Sequence, residues 1–159
     1  MKGSKAYVDQ MTGAQSKNIM NMIVLDSLIA GNVKYVYGDF GQAGVLRDMA
    51  LNISNKMQLG LTTQKGTSDY PFGTTGPFSD HTYFAKRGIP YTYFEATDWG
   101  LGAMDGYTQV YPQYGVNGEI WHTEFDNLSY IEETFPGRVK DHLSSYVTVL
   151  TEILTQFGN

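Results

Sequence analysis

Ser79, Asp80 and His81 place three chemically capable side chains in consecutive positions. Their types suggest a nucleophile with its acid and its base. Consecutive side chains diverge, however, whereas the members of a catalytic triad converge in space and hydrogen-bond to one another. The run therefore predicts no nucleophile. Ser79 or Asp80 is instead expected to cap a short helix that begins at His81.

Asp26 is a second candidate, because it ends the almost wholly apolar stretch "NIMNMIVLD" at 18–26. That stretch predicts a buried strand, and in open α/β sheets the functional crevice lies at the carboxyl ends of the strands. Asp26 would stand at that edge. A structural role, in which Asp26 caps the turn into "SLIAGN", is an equally good interpretation from the residues alone.

His122 is the third candidate, since it follows a long glycine-rich segment and precedes a predicted helix. Imidazole is the commonest metal ligand, although a lone histidine is more often a surface or core residue. His142 lies beside charged residues in the last predicted helix, and we expect it to be solvated. Glu132 and Glu133 end a helix, and we expect both carboxylates to face solvent.

Composition limits the classes of function. The 159 residues suffice for one domain, and 11 Lys+Arg against 16 Asp+Glu give a net charge of -5, which argues against nucleic acid or a membrane as a partner. No cysteine is present, so a metal would be held by histidine and carboxylate. The sequence carries no signal segment and as it stands indicates a cytoplasmic protein, whereas a longer parent could be secreted or displayed on a cell surface.

The elements that would position these residues alternate along the chain. Strands are predicted at 18–26, 34–39, 58–63 and 89–96. Helices are predicted at 3–13 with Ser4 as cap, at 42–57, at 81–87, after Asp126 as cap, and from Gly137 onward as one apolar stripe. Residues 97–119 are predicted to form a long loop. The pattern predicts a three-layer α/β domain over residues 1–159.

Three segments, taken in order, resemble the second half of a zinc exopeptidase catalytic domain. They are "LDSLIAGN" at 25–32, "SDHTYFAKRGIPYTYFEA" at 79–96 and "WHTEFDNLSYIEE" at 121–133. The family is that of the co-catalytic zinc aminopeptidases, which also includes glutaminyl cyclases and glutamate-carboxypeptidase-like proteins. The resemblance covers nearly the whole chain. It implies a three-layer sandwich with a partial mixed sheet, a zinc cofactor and a peptide substrate.

The resemblance also implies roles for particular residues. Asp26 corresponds to a late aspartate ligand of zinc and His122 to the final histidine ligand. Asp80 corresponds to a supporting aspartate that hydrogen-bonds the active-site carboxylates. The loop at 97–119 would shape the substrate pocket and, through its aromatic content, favour an apolar or aromatic side chain. The candidate pocket residues are Trp99, Tyr107 and Tyr111.

Two further features of the family have no counterpart in this sequence. They are a His-x-Asp pair whose aspartate bridges two metals, and an acidic pair that supplies the general base. No histidine precedes His81 and no glutamate precedes Glu95. A catalytic zinc site needs three protein ligands and an open position for water. We therefore expect weak or no zinc binding by this chain and no turnover by it alone.

Two classes of function remain open at this point. The chain is either part of an aminopeptidase-type hydrolase, or a non-enzymatic remnant or α/β binding module that uses the aromatic loop at 97–119.

In the family the strand at 19–26 pairs with a strand of the first half. Left unpaired, that strand is expected to drive assembly into a homo-oligomer.

Overall fold

A four-stranded mixed sheet organises the fold in the computed structural model, which describes residues 1–157. The strands lie in the spatial order β1-β4-β2-β3. β1 runs parallel to β4 and β2 runs parallel to β3, whereas β2 and β4 are antiparallel. Their bounds are Met22–Leu25 (β1), Val33–Gly38 (β2), Leu61–Thr62 (β3) and Tyr91–Thr97 (β4).

Helices cover both faces of the sheet. They are Lys2–Gln10 (α1), Gly13–Lys17 (α2), Val45–Met57 (α3), His81–Lys86 (α4), Leu128–Thr134 (α5) and Arg138–Phe157 (α6), with a 3-10 helix at Gly41–Gly44. α3 and α6 pack together against β2 and β4, while α4 contacts β1 and β4 and carries α1 on its outer side. The predicted three-layer α/β sandwich is therefore confirmed.

Within residues 1–157, no helix combines the length and apolar character needed to cross a membrane.

The two faces of the central strands differ in chemistry, because side chains alternate along a strand. Val36 and Phe94 point toward α3 and α6, where they join a wholly apolar core closed by residues such as Val149. The opposite face carries tyrosines, among them Tyr37 and Tyr93, which pack with Trp99. One face of the sheet therefore packs in the apolar core, and the other face carries buried tyrosine hydroxyl groups that can donate hydrogen bonds.

β1 is an edge strand, not the buried strand predicted over 18–26. It starts only at Met22, because α2 and its C-cap at Asn18 occupy the beginning of the predicted range. Met20 is 71% exposed and Leu25 is 52% exposed. Within the described residues β1 pairs with β4 alone, so its other edge is free.

The helix ends differ from their predicted caps. α1 begins after Met1 without a side-chain cap, so the predicted cap at Ser4 is wrong. Thr12 instead forms a capping box at the start of α2. At α5 the cap is Asn127, whose side chain accepts a hydrogen bond from the Tyr130 amide at 2.9 Å, and not Asp126. These shifts of a few residues leave the element order intact.

His142 is buried, so the prediction that it is solvated is wrong. Its ring Nδ1 lies 3.1 Å from the Leu28 carbonyl oxygen, and burial lowers the pKa of His142 to about 4. Glu132 and Glu133 are exposed, as predicted. The apolar stripe of α6 is only partly buried, because Val147 and Leu154 are more than 60% exposed.

Candidate active site at the carboxyl edge of the sheet

Asp26 and Glu95 lie side by side where β1 and β4 end. Leu25 pairs with Phe94, and the Asp26 amide donates a hydrogen bond to the Phe94 carbonyl oxygen at 3.1 Å. The same register therefore brings Asp26 next to Glu95. Because parallel strands end at the same edge of a sheet, two carboxyl groups meet in the position expected for a functional crevice.

The Asp26 carboxylate is held by hydroxyl groups. Oδ2 accepts hydrogen bonds from Ser79 Oγ at 2.8 Å and from the Tyr93 hydroxyl at 3.3 Å. Oδ1 accepts a longer one from Ser27 Oγ at 3.4 Å. Carboxylates that bind metals are typically oriented by such hydrogen bonds. The geometry thus favours a functional carboxylate over a mere turn cap.

Glu95 is the functional candidate that sequence reasoning missed. Its Oε2 accepts a hydrogen bond from the Tyr37 hydroxyl at 3.1 Å, and its Oε1 accepts one from the Tyr93 hydroxyl at 3.3 Å. Trp99 Nε1 in turn donates to the Tyr37 oxygen at 2.7 Å. A chain of donors therefore converges on one carboxyl group.

The environment of Glu95 favours its neutral form. Burial is the largest cause and the negative charge of Asp26 adds to it, so the pKa of Glu95 is raised to about 7 despite the two tyrosine hydrogen bonds. Tyr93 has a single proton and lies within reach of both carboxylates. It can satisfy only one of them at a time, which also disfavours two charges in this place.

A small cavity of about 20 Å³ lies beside Glu95. It is lined by Thr75, Phe78, Tyr93, Glu95, Trp99, Asp105, Gly106, Tyr107 and Trp121. Two of the three predicted pocket residues, Trp99 and Tyr107, are in this wall, whereas Tyr111 is 54% exposed and lies outside the lining. A substrate role for all three stays a prediction.

His122 directly follows Trp121, a residue of the cavity wall. The two rings lie 4.9 Å apart, and the His122 side chain is exposed. Its backbone has a φ of 60°, an uncommon conformation for a residue other than glycine, and its amide donates to Asp126 Oδ2 at 3.1 Å. Asp126 therefore fixes the backbone that carries His122 rather than starting α5.

Ser79, Asp80 and His81 make different contacts in the structure. Ser79 contacts Asp26, whereas Asp80 Oδ1 accepts a hydrogen bond from Ser4 Oγ at 2.7 Å and makes no side-chain cap on α4. α4 thus begins at His81 with Asp80 in the N-cap position, as predicted, but without a side-chain cap. Support of the active-site carboxylates by Asp80 stays a prediction. His81 is buried, and its ring centre lies 4.4 Å from that of Tyr91. Burial lowers the pKa of His81 to about 4.

The described residues do not by themselves complete a metal centre. In residues 1–157 no group of three or more His, Cys, Asp or Glu side chains is arranged to hold a metal ion. A catalytic zinc needs three such ligands. This donor set therefore does not fit a zinc ion without further ligands, and no reaction step can be assigned to one here.

Helical layers around a mixed sheet, with carboxyl groups at its carboxyl edge, define an α/β domain with a candidate functional crevice at that edge. Residues 1–147 match Peptidase family M28. The chain is also 31% identical over 164 residues to the alkaline phosphatase isozyme conversion protein of Escherichia coli (strain K12). That match covers 98% of this chain and 47% of the relative, so the chain spans about half the length of this curated relative. The chain belongs to Peptidase family M28, a family of zinc-type peptidases.

Proposed function

We propose that this chain forms part of the active site of a zinc-dependent aminopeptidase that cleaves N-terminal peptide bonds. The observation that carries the proposal is the Asp26 carboxylate, oriented by Ser79 and Tyr93 at the carboxyl edge of the sheet. Membership of a peptidase family supports peptide hydrolysis. The aminopeptidase activity and the use of zinc are supported by the resemblance of residues 25–32, 79–96 and 121–133 to that group of enzymes.

In this proposal Asp26 and His122 are two of the metal ligands, and other ligands and the general base come from outside the described residues. Tyr93 contacts Asp26 and lines the same cavity as Trp121, the sequence neighbour of His122, which supports this assignment. The E. coli relative is named for converting an alkaline phosphatase isozyme. A conversion of one protein form into another supports a polypeptide substrate for this chain too.

The isolated chain should release no amine from aminoacyl substrates, with or without added zinc. It supplies two ligands and no base, and binding alone does not activate water. We would measure the release of a chromogenic amine from several aminoacyl substrates. Zinc-dependent turnover that disappears in both Asp26→Ala and His122→Ala, but persists in the exposed-site control Asp69→Ala, would contradict this expectation.

A second candidate function is that of a binding module without chemistry. The aromatic cavity favours it. An experiment can distinguish the two candidate functions if the portion present in the longer relative is added to the chain and turnover is measured. Restored turnover that needs both Asp26 and His122 supports the peptidase, whereas ligand binding without any turnover supports the module.

We further propose that the chain self-associates through residues 19–26. The free edge of β1 can pair with a second copy, and an apolar groove of about 430 Å³ runs beside it. Its walls include Ile19, Ile23, Val45, Ile153, Leu154 and Phe157. A dimer that buries β1 against its copy would cover both features.

Light scattering should accordingly give a mass above that of one chain at micromolar concentration. The double variant Met20→Lys/Leu25→Lys, which places charges on exposed positions next to the edge, should be monomeric. Val147→Lys, at an equally exposed position of α6, is the matched control and should keep the wild-type mass. A monomeric wild type would refute self-association.

A further inference from the structure

The cavity beside Glu95 combines aromatic walls with acidic groups. Tyr107 lies 5.1 Å from the Phe78 ring and 5.5 Å from the Trp121 ring, so the three form one continuous wall. Trp99 closes the other side. Aromatic faces attract cations through their quadrupole. A carboxyl group at the bottom of such a box favours a positively charged occupant.

The carboxyl group of Glu95 retains capacity for another partner. Each of its oxygens accepts one hydrogen bond, from Tyr37 or from Tyr93, while a carboxylate oxygen can accept two. The ion pairs of residues 1–157 involve neither Glu95 nor Asp105, the second acidic residue of the lining. A cationic ligand would therefore provide the ion-pair partner that these two carboxyl groups lack among residues 1–157.

The size of the cavity restricts the cation. A water-sized group needs about 10–15 Å³, and the cavity provides about 20 Å³. A single ammonium group is of about this size. Gly106 lies against one wall, because a Cβ at that position would come within 2.8 Å of the Trp99 ring. The loop therefore closes directly onto the indole.

We propose that this cavity binds a primary ammonium group, which donates hydrogen bonds to Glu95 and is enclosed by Trp99, Tyr107 and Trp121. The inference rests on the peptide substrate of the proposed function. In a peptide the ammonium belongs either to the chain terminus or to a lysine side chain. An apolar side chain, as expected from the aromatic content of the loop, would instead leave the Glu95 carboxyl facing a group that cannot hydrogen-bond.

Fluorescence offers a direct measurement, because the only two tryptophans of the chain, Trp99 and Trp121, both line the cavity. Methylammonium chloride is titrated at pH 8 against sodium chloride at equal ionic strength. We expect a saturable change that is at least about tenfold weaker in Glu95→Gln, given the strength of hydrogen bonds to charged groups. Glu124→Gln, at an exposed carboxylate, should bind like the wild type.

Two peptide probes identify the source of the ammonium group. Nα-acetyl-lysine methylamide offers only a side-chain ammonium, alanine methylamide only a terminal one, and Nα-acetyl-norleucine methylamide is the neutral comparison. Saturable binding of either ammonium probe, lost in Glu95→Gln, supports the proposal and names the source. An equal response to the norleucine probe, or no response to either ammonium probe, overturns it.

Two further controls keep the outcome decisive. If circular dichroism shows that Glu95→Gln is unfolded, Tyr107→Ala takes its place, because Tyr107 is 38% exposed at the rim and lies outside the apolar core. Unchanged methylammonium binding in Tyr107→Ala then counts against the proposal. The titration involves no zinc and no turnover, so its failure would leave the proposed hydrolysis standing, and a lack of turnover would leave it unaffected.

Discussion

Acidification from pH 7 to pH 4 should lower the free energy of unfolding by roughly 3 kcal/mol through three buried groups. His81 and His142 have pKa values lowered from 6.5 to about 4 by burial. The unfolded chain therefore binds protons first as the pH falls below 6.5. Each histidine contributes stability that is present above pH 6.5 and lost toward pH 4, about 3 kcal/mol for each.

Glu95 acts in the opposite direction. Its pKa is raised from 4.5 to about 7, so the folded protein takes up this proton before the unfolded chain does. Its contribution to the free energy of unfolding grows as the pH falls from 7 to 4.5. It offsets roughly 3 kcal/mol of the stability lost through the two histidines. Removal of this group in Glu95→Gln should therefore approximately double the loss between pH 7 and pH 4.

Urea unfolding at several pH values between 7 and 4 measures both effects. His142→Gln should flatten the acid side of the stability curve. His122→Gln, which alters an exposed ring, is the matched control and should follow the wild type. A wild-type stability that is constant over this range, together with an unchanged slope in Glu95→Gln, would contradict the assignment of these groups.

Gly31→Ala should cost about 3 kcal/mol or more of stability, because two backbone segments meet at this glycine. A Cβ there would lie closer than 3.0 Å to backbone atoms of Thr97 and Ala96, at the end of β4. Backbone in a sheet cannot yield as a flexible side chain can. The turn that follows Asp26 would therefore have to move away from β4.

The same substitution at Gly3 is the matched control, since a Cβ at this position of α1 meets nothing within 4 Å. Gly3→Ala should be neutral or stabilise the protein by up to about 1 kcal/mol, because alanine is the better helix former. Thermal unfolding of the two variants gives the comparison. Equal melting temperatures for Gly31→Ala and Gly3→Ala would show that the turn is not packed as described.

The alternation of strands and helices was predictable, because hydrophobic periodicity reports local structure. The burial of His142 could also have been foreseen. It lies four residues before Tyr146 and seven before Val149, both buried, so helical spacing puts it on the inner face. Its charged neighbours in sequence do not indicate exposure, since consecutive helical residues point in different directions.

Glu95 could not be assigned from the sequence with the same ease. Its alternation with Tyr91 and Tyr93 indicates a shared face, but only the packing of Trp99 and Tyr70 against these tyrosines shows that this face is covered. The place of Asp26 after an apolar run identifies it as a candidate, whereas its contact with Ser79, 53 positions further along the chain, depends on the tertiary fold. Local patterns predict elements, and partners distant in sequence require the tertiary structure.

The central position of β4 has a consequence for the order in which the protein can fold. β1 and β2 are complete by Gly38, yet β1 gains its only described neighbour, and β2 the longer of its two, only with residues 91–97. Pairing across more than 50 residues, the shortest separation being that from Gly38 to Thr92, carries a loop-closure cost and is slow compared with hairpin formation. During synthesis β1 would remain unpaired until the ribosome has extruded β4, whereas β2 can already pair with β3. A chaperone that shields residues 22–25 in that interval should therefore raise the folding yield.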